Sequence, residues 1–260
     1  MELTVDGHKV FAATGGRDLD PALPLVVLIH GAGMDHSVWS LQARYLAHHG
    51  RSVLAVDLPG HGRSGGAALG SIEELADWTA RLVEAAGFEQ AGLAGHSMGA
   101  LAALETANRH PGRVRALALL GVAERMPVHP DLLAAAASED DRAYAGAIAM
   151  VIGWGFGTLR GGSAAPGLWQ VGTGIQLMRR APRGVLATDL AACDAWRGAP
   201  DVRCPTTLVL GAGDRMTPAK SGKALAARIA GSKTVVLQGS GHMMMVEEPD
   251  AVTDALRASL

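Results

Sequence analysis

Six near-continuous apolar runs, each closing on or next to a glycine, constrain this chain more than any other feature. They are "PLVVLIHGAG", "SVLAVDLPG", "AGLAGHS", "VRALALLGV", "TTLVLGAGD" and "TVVLQGSGH". A strand that is apolar at every position must be covered on both faces, which is the situation of a strand inside a parallel sheet. Between the runs lie stretches of helical period, roughly at residues 37–48, 71–87, 98–109, 218–229 and 248–259. Strand, helix, strand alternation predicts an α/β fold, a mostly parallel sheet with helices on both faces. Ahead of it, two short alternating segments at residues 3–5 and 9–12 flank Asp6-Gly7, a dipeptide suited to a tight hairpin. The chain therefore opens antiparallel.

The alternation is broken once. From residue 122 to residue 203 four helix-like stretches follow one another with no convincing strand, and three of the five tryptophans, Trp154, Trp169 and Trp196, fall there. This interval is expected to form a helical cap over one edge of the sheet, with residues 1–121 and 204–260 forming the core. A length of 260 residues suits one such core with an insertion.

Composition narrows the function classes. A formal charge of −2 gives no electrostatic reason to expect a nucleic acid or an anionic membrane as partner. The N-terminal "MELTVDGHKVFAATGG" carries Glu2 and Asp6 and no apolar run of signal-peptide length, and the longest apolar stretch, "AGAIAMVIGWGFG", has 13 residues. Cys193 and Cys204 form no C-x-x-C pair. A cytoplasmic enzyme acting on a small molecule is expected, and a homodimer is left open.

In an open parallel sheet, chemistry gathers beyond the carboxyl ends of the strands. The first such end is "GHSMG", residues 95–99. A serine on a sharp turn between strand and helix is held in a strained backbone conformation, and Gly95 and Gly99 remove β-carbons that would collide across it. Ser97 thus faces the positive end of the next helix. The second end is "IHGAGMD". Two fixed N–H donors can hold an oxyanion, and Met98, directly after the serine, supplies one. Ala32 is expected to supply the other, with Gly33 as its neighbouring alternative. His30, Asp35 and His36 lack the facing pairs that zinc ligation uses, and His30 reads as a buried histidine bonded to loop backbone. The remaining ends carry Asp214 in "LGAGDRMTP" and His242 in "GSGHMMM". A serine hydroxyl needs a base to take its proton, and the base needs a carboxylate to fix its tautomer. Taken singly, Asp214 could cap the helix that begins near Pro218, and His242 could occupy a surface turn. Jointly, in the order Ser97, Asp214, His242, the three residues point to nucleophilic catalysis. Glu124, which follows "LALLGVA", is the rival for the acid.

With "HGAG", "DLPGHGRS", "GHSMG", "CPTTLVLGAGDRMTP" and "GSGHMMMVEEP" in place, the chain resembles an α/β-hydrolase fold enzyme over nearly its whole length; only the cap matches in type rather than in motif. The resemblance implies a sheet of about eight strands and two-step acyl transfer without metal or organic cofactor. His242 would deprotonate Ser97, Asp214 would orient His242, and the N–H groups of Ala32 and Met98 would hold the oxyanion. Asp57-Leu58-Pro59-Gly60 and the following "HGRS" resemble a structural loop of the family. Relatives that open epoxides or remove halides usually place aspartate at the elbow; the serine here favours acyl chemistry. The expected substrate is a small to medium, largely apolar ester, thioester or lactone. Met126, Leu133, Met150, Ile152, Trp154, Trp169, Ile175, Met178 and, after the base, Met243 are the candidate pocket wall. Arg179, Arg180 and Arg183 read as a solvated face. Carbon–carbon bond hydrolysis, cofactor-free perhydrolysis or haloperoxidation, and slow-turnover ligand reception are the alternatives.

Overall fold

The computed structural model describes residues 1–156, 167–198 and 200–260. Eight strands form one sheet: β1 (Glu2–Val5), β2 (His8–Ala13), β3 (Leu25–Ile29), β4 (Ser52–Val56), β5 (Ala91–His96), β6 (Val114–Leu120), β7 (Thr206–Gly211) and β8 (Lys233–Leu237). Their spatial order is β1-β2-β4-β3-β5-β6-β7-β8. Among the described residues, only the pairings made by β2 are antiparallel. The opening hairpin turns on Asp6 (φ 52°) and Gly7 (φ 77°), so both turn residues are left-handed, as a two-residue hairpin loop matched to strand twist requires.

Five of the six apolar runs are buried through nearly all of their strands, as predicted; the sixth, β8, lies at the edge of the sheet, with Lys233 and Thr234 exposed, Val235 and Val236 half-buried and Leu237 buried. All five residues of β3 are buried, and they divide by alternation. Val27 and Ile29 join one hydrophobic cluster, and Val26 and Leu28 join another across the sheet. The helices are α1 (Ser40–Ala47), α2 (Ile72–Ala85), α3 (Met98–Arg109), α4 (Pro130–Ala136), α5 (Asp141–Gly155), α6 (Gly167–Arg180), α7 (Val185–Ala195), α8 (Ala219–Ala226), α9 (Met244–Glu247) and α10 (Pro249–Ser259). α2 and α3 cover the first face through Leu75, Trp78, Leu101 and Leu104. α1 and α10 cover the second through Leu46, Val252 and Leu256. Each such side chain contributes roughly 1.5–3 kcal/mol on burial, which is why both faces are apolar throughout.

Local signals set the helix ends. Ser71 accepts the N–H of Glu74, while the Glu74 carboxylate reaches back to Gly70 N–H at 2.8 Å. The helix expected from residue 37 begins instead as a 3-10 turn, His36–Trp39, because the Asp35 side chain accepts the N–H of Ser37 and tightens the first turn. Between β6 and β7 in the chain lie α4 to α7. Among the described residues, no helix is long and apolar enough to cross a membrane.

Candidate active site

Ser97 joins β5 to α3 with φ 54° and ψ −116°, a backbone geometry that L-residues avoid and that stores roughly 1–3 kcal/mol. Both glycines of the pentapeptide are required by close approach. A β-carbon on Gly95 would lie 2.0 Å from the Gly99 carbonyl oxygen, and one on Gly99 would lie 2.4 Å from that of Ile29. Serine at the head of a helix ordinarily caps it, yet Ser97 makes no side-chain cap bond. Its hydroxyl is not spent on the helix. Met98 is the first residue of α3, so its N–H has no acceptor within the helix.

His242 follows β8 on a short loop. Its Nδ1 lies 2.8 Å from Oδ2 of Asp214, which follows β7. A carboxylate only accepts, so Nδ1 carries the proton and Nε2 is the basic lone pair. That Nε2 is buried and has no hydrogen-bond partner among the described residues. Asp214 is held in turn: Oδ1 accepts the N–H groups of Met216 and Thr217, each at 2.8 Å, and Oδ2 accepts the Thr217 hydroxyl at 2.7 Å. Burial opposes its ionisation, but His242 and these donors prevail and hold Asp214 below the ordinary carboxylate range. Glu124, the rival acid, is ion-paired with Arg228 instead.

The loop carrying the base is anchored at both ends. The Gly155 carbonyl at the end of α5 accepts the N–H of His242 at 2.6 Å, and Glu247 accepts that of Gly241 at 2.9 Å. Behind it, Nε2 of the buried His96 donates to the His242 carbonyl at 2.8 Å. Burial, reinforced by the nearby His242, pushes the His96 pKa down to about 3, so this ring stays neutral. Neither Glu247 nor His96 was singled out by sequence, although both sit inside the motifs quoted for their neighbours.

The loop after β3 lies against the serine: a β-carbon on Gly31 would stand 3.3 Å from that of Ser97. His30 Nδ1 donates to Gly31 O at 2.9 Å, and its Nε2 accepts the N–H of Leu58 at 3.2 Å. The ring is neutral; burial and then His61 depress its pKa to about 3. Gly33 N–H is already given to Oδ2 of Asp189, 2.8 Å away on α7. Of the two sequence alternatives for the second oxyanion donor, Ala32 is therefore the one whose neighbour is engaged elsewhere. Asp35, His36 and Asp57 bring ligand-type atoms within 4.8 Å of one another. Yet Asp57 already accepts His36 Nδ1 at 2.7 Å, His36 N–H at 2.8 Å and Arg63 N–H at 2.9 Å, which makes it a loop brace.

Ser97, Ala32 and His242 line one cavity of about 310 Å³, with Met126, Trp154 and Met243 among its apolar walls. Met150 is a correction. It packs against the hydrophobic cluster of the second sheet face, and Val151, one residue on and about 100° around α5, lines the cavity in its place. Ile152 and Met178 are buried within that cluster, and Ile175 and Leu133 pack against it. The Trp169 side chain lies outside the described residues. Arg179 and Arg180 are exposed, and Arg183 pairs with Asp141 and stacks on Tyr144 with 4.1 Å from its guanidinium carbon to the ring centroid.

Residues 26–255 match the Alpha/beta hydrolase family. The chain belongs to that family. The pimeloyl-[acyl-carrier protein] methyl ester esterase of Aromatoleum aromaticum is 32% identical to this hydrolase over 242 residues, 87% of this chain and 94% of that protein. The (E)-2-((N-methylformamido)methylene)succinate hydrolase of Acinetobacter baylyi is 27% identical over 240 residues, 90% of this chain and 89% of that protein. Among solved structures, the enol-lactonase of Burkholderia xenovorans superposes with a TM-score of 0.84 at 25% identity, covering 99% of this chain and 98% of that chain.

Proposed function

We propose that this alpha/beta hydrolase is a serine hydrolase that cleaves a small to medium, largely apolar carboxylic ester, thioester or lactone through an acyl-enzyme on Ser97. One observation carries the reading: His242 is bonded to Asp214 through Nδ1, while its Nε2, unpartnered among the described residues, belongs to a ring that lines the same cavity as Ser97. In the first step Nε2 takes the Ser97 proton as Oγ attacks the carbonyl carbon. The N–H groups of Ala32 and Met98 hold the resulting oxyanion. The protonated histidine then gives its proton to the leaving oxygen or sulfur. Water, deprotonated by the same Nε2, attacks the acyl-enzyme, releases the acid and restores Ser97. Each oxyanion donor contributes roughly 2.7–4 kcal/mol by comparison with other acyl-transfer sites.

The esterase and lactonase relatives support this chemistry, and the apolar walls support the substrate class. The inserted helices α4 to α7 are read as the cap that sets acyl-chain preference. A narrower reading, an ester that also bears a carboxylate, is favoured by Arg215, an exposed guanidinium beside Asp214 that lines the same cavity. The test is a panel of chromogenic esters, thioesters and lactones, with and without a second carboxylate, using Ser97→Ala as control and an organophosphonate label located by mass spectrometry. Turnover lost in Ser97→Ala with the label on Ser97 is expected. A label on another serine, with Ser97 unmodified, would sink the assignment.

A further inference from the structure

The two peptide planes that carry Ala32 N–H and Gly33 N–H are both pinned, and one pin comes from outside the core. The Gly31 carbonyl and the Ala32 N–H share one trans peptide and point in opposite directions, so whatever holds the carbonyl aims the N–H. His30 Nδ1 at 2.9 Å and Met34 N–H at 3.2 Å hold it. The next peptide, which carries Gly33 N–H, is held by Oδ2 of Asp189 at 2.8 Å. Asp189 lies on α7, far along the chain in the inserted helices, and is 1% exposed. The same Oδ2 lies 2.8 Å from Nε2 of His61, also 1% exposed, whose Nδ1 lies 2.9 Å from the Pro59 carbonyl.

Both acceptors around His61 are oxygens without a proton, so both ring nitrogens donate and the ring is an imidazolium. Burial works against that charge, but the field of Asp189 and the bonds to Asp189 and Pro59 raise the pKa. The ring of His61 packs on that of His30 with 4.8 Å between centroids. A buried carboxylate on an inserted helix, a buried imidazolium on the loop after β4 and a neutral histidine at the end of β3 therefore meet at the loop that carries Ala32. The serine, base and acid make no use of this group.

We propose that Asp189 is a positioning residue of the oxyanion hole: with His61 it fixes the 31–33 loop so that Ala32 N–H is aimed at the oxyanion, making α7 part of the catalytic apparatus as well as of the substrate wall. The proposal rests on the acyl-transfer reading of Ser97. With an amide in place of the carboxylate, the oxygen shared by Gly33 N–H and His61 Nε2 loses its charge, the buried imidazolium loses its counter-ion, and the loop must relax. A displacement of the donor by about 1 Å is enough to lower turnover on the order of 100-fold.

The test is steady-state kinetics of Asp189→Asn on a short acetate ester and on a longer-chain ester, normalised to active sites by phosphonate titration. It is paired with inhibition constants for a boronic acid, which forms a tetrahedral adduct on the serine, and for a product alcohol, which does not. For Asp189→Asn, kcat is expected to fall at least about tenfold on both esters with KM little changed, and the boronic acid to weaken in step while the alcohol does not. If KM rises only for the longer ester and kcat holds, α7 serves binding alone and the inference is overturned. Unchanged kcat and unchanged boronate affinity, with only a lower Tm, overturn it as well. Should Asp189→Asn fail to fold, His61→Gln, which leaves the carboxylate in place, is judged by the same two readouts. A wild-type protein with no ester turnover and no label on Ser97 defeats the acyl-transfer reading first, and this inference with it; a wild-type protein active through Ser97 beside an unimpaired Asp189→Asn defeats this inference only.

Discussion

Nδ1 of His242 stands 2.8 Å from Oδ2 of Asp214, and Thr217 binds the same carboxylate through both its N–H and its hydroxyl. The acid is thus braced before it orients the base. Asp214→Asn should keep the fold and lower kcat by roughly 10³–10⁴, because the amide can present its NH₂ to Nδ1 and turn the ring to the wrong tautomer. Glu124→Gln should leave kcat within about twofold, since it loses only an ion pair with Arg228 at the surface. Activity measured on one chromogenic ester, with circular dichroism to check folding, separates the two.

Gly121, at the end of β6, touches the base from behind. A β-carbon there would lie 3.0 Å from both Cε1 and Nδ1 of His242, and its φ is +57°. Gly121→Ala should push the imidazole aside and lower kcat at least about tenfold with KM nearly unchanged. Left-handed strain of roughly 1–2 kcal/mol should lower Tm by about 2–8 °C. A normal kcat with the expected drop in Tm would show that the ring does not need its present position.

Trp154 and Met150 sit on the same helix and pack against the same hydrophobic cluster, but of the two it is Trp154 that lines the cavity. Trp154→Ala should shift the preferred acyl length upward, each added methylene gaining roughly 1–3 kcal/mol in the new space, while acetate ester turnover stays nearly constant. Met150→Ala should lower stability and leave the chain-length profile as it was. Ranking kcat/KM over a homologous ester series checks both.

His36 bridges its own loop to Asp57, and the hydrogen bond its Nδ1–H donates to the Asp57 carboxylate raises its pKa. Asp35 adds to the rise, while partial burial and Arg63 oppose it. A raised histidine contributes its full stabilisation below the unfolded value of about 6.5 and loses the charged part as pH climbs through the folded value. The difference in urea midpoint between wild type and His36→Gln should therefore be largest near pH 6 and shrink toward pH 9. A difference that grows with pH would contradict this assignment.

The sheet and the three strand-end residues were legible because two strong periodicities, of strand and of helix, leave little choice of order, and because each residue sits beside glycines that mark a sharp turn. The pocket wall was not. α5, "DRAYAGAIAMVIGWG", is apolar on nearly every side after its first turn, so no stripe tells Met150 from Val151. Asp189 was missed for the opposite reason: a single carboxylate in a helix reads as solvated, and its partners, Gly33 and His61, lie more than 100 residues away in sequence. Pattern preferred Ala32 to Gly33 as the second donor, but the contact that engages Gly33 N–H, the carboxylate on α7, was not legible.

The geometry of Ser97 has a bearing on how such a protein responds to selection for robustness. Because φ 54° with ψ −116° is comfortable only for glycine, the residue that heat resistance favours at this position is not the residue that turns over substrate. Libraries screened for soluble, heat-stable protein without an assay for turnover should accumulate glycine at position 97 and lose the enzyme while improving the scaffold. A stabilisation campaign would need to keep this residue fixed and look for its gains elsewhere in the chain.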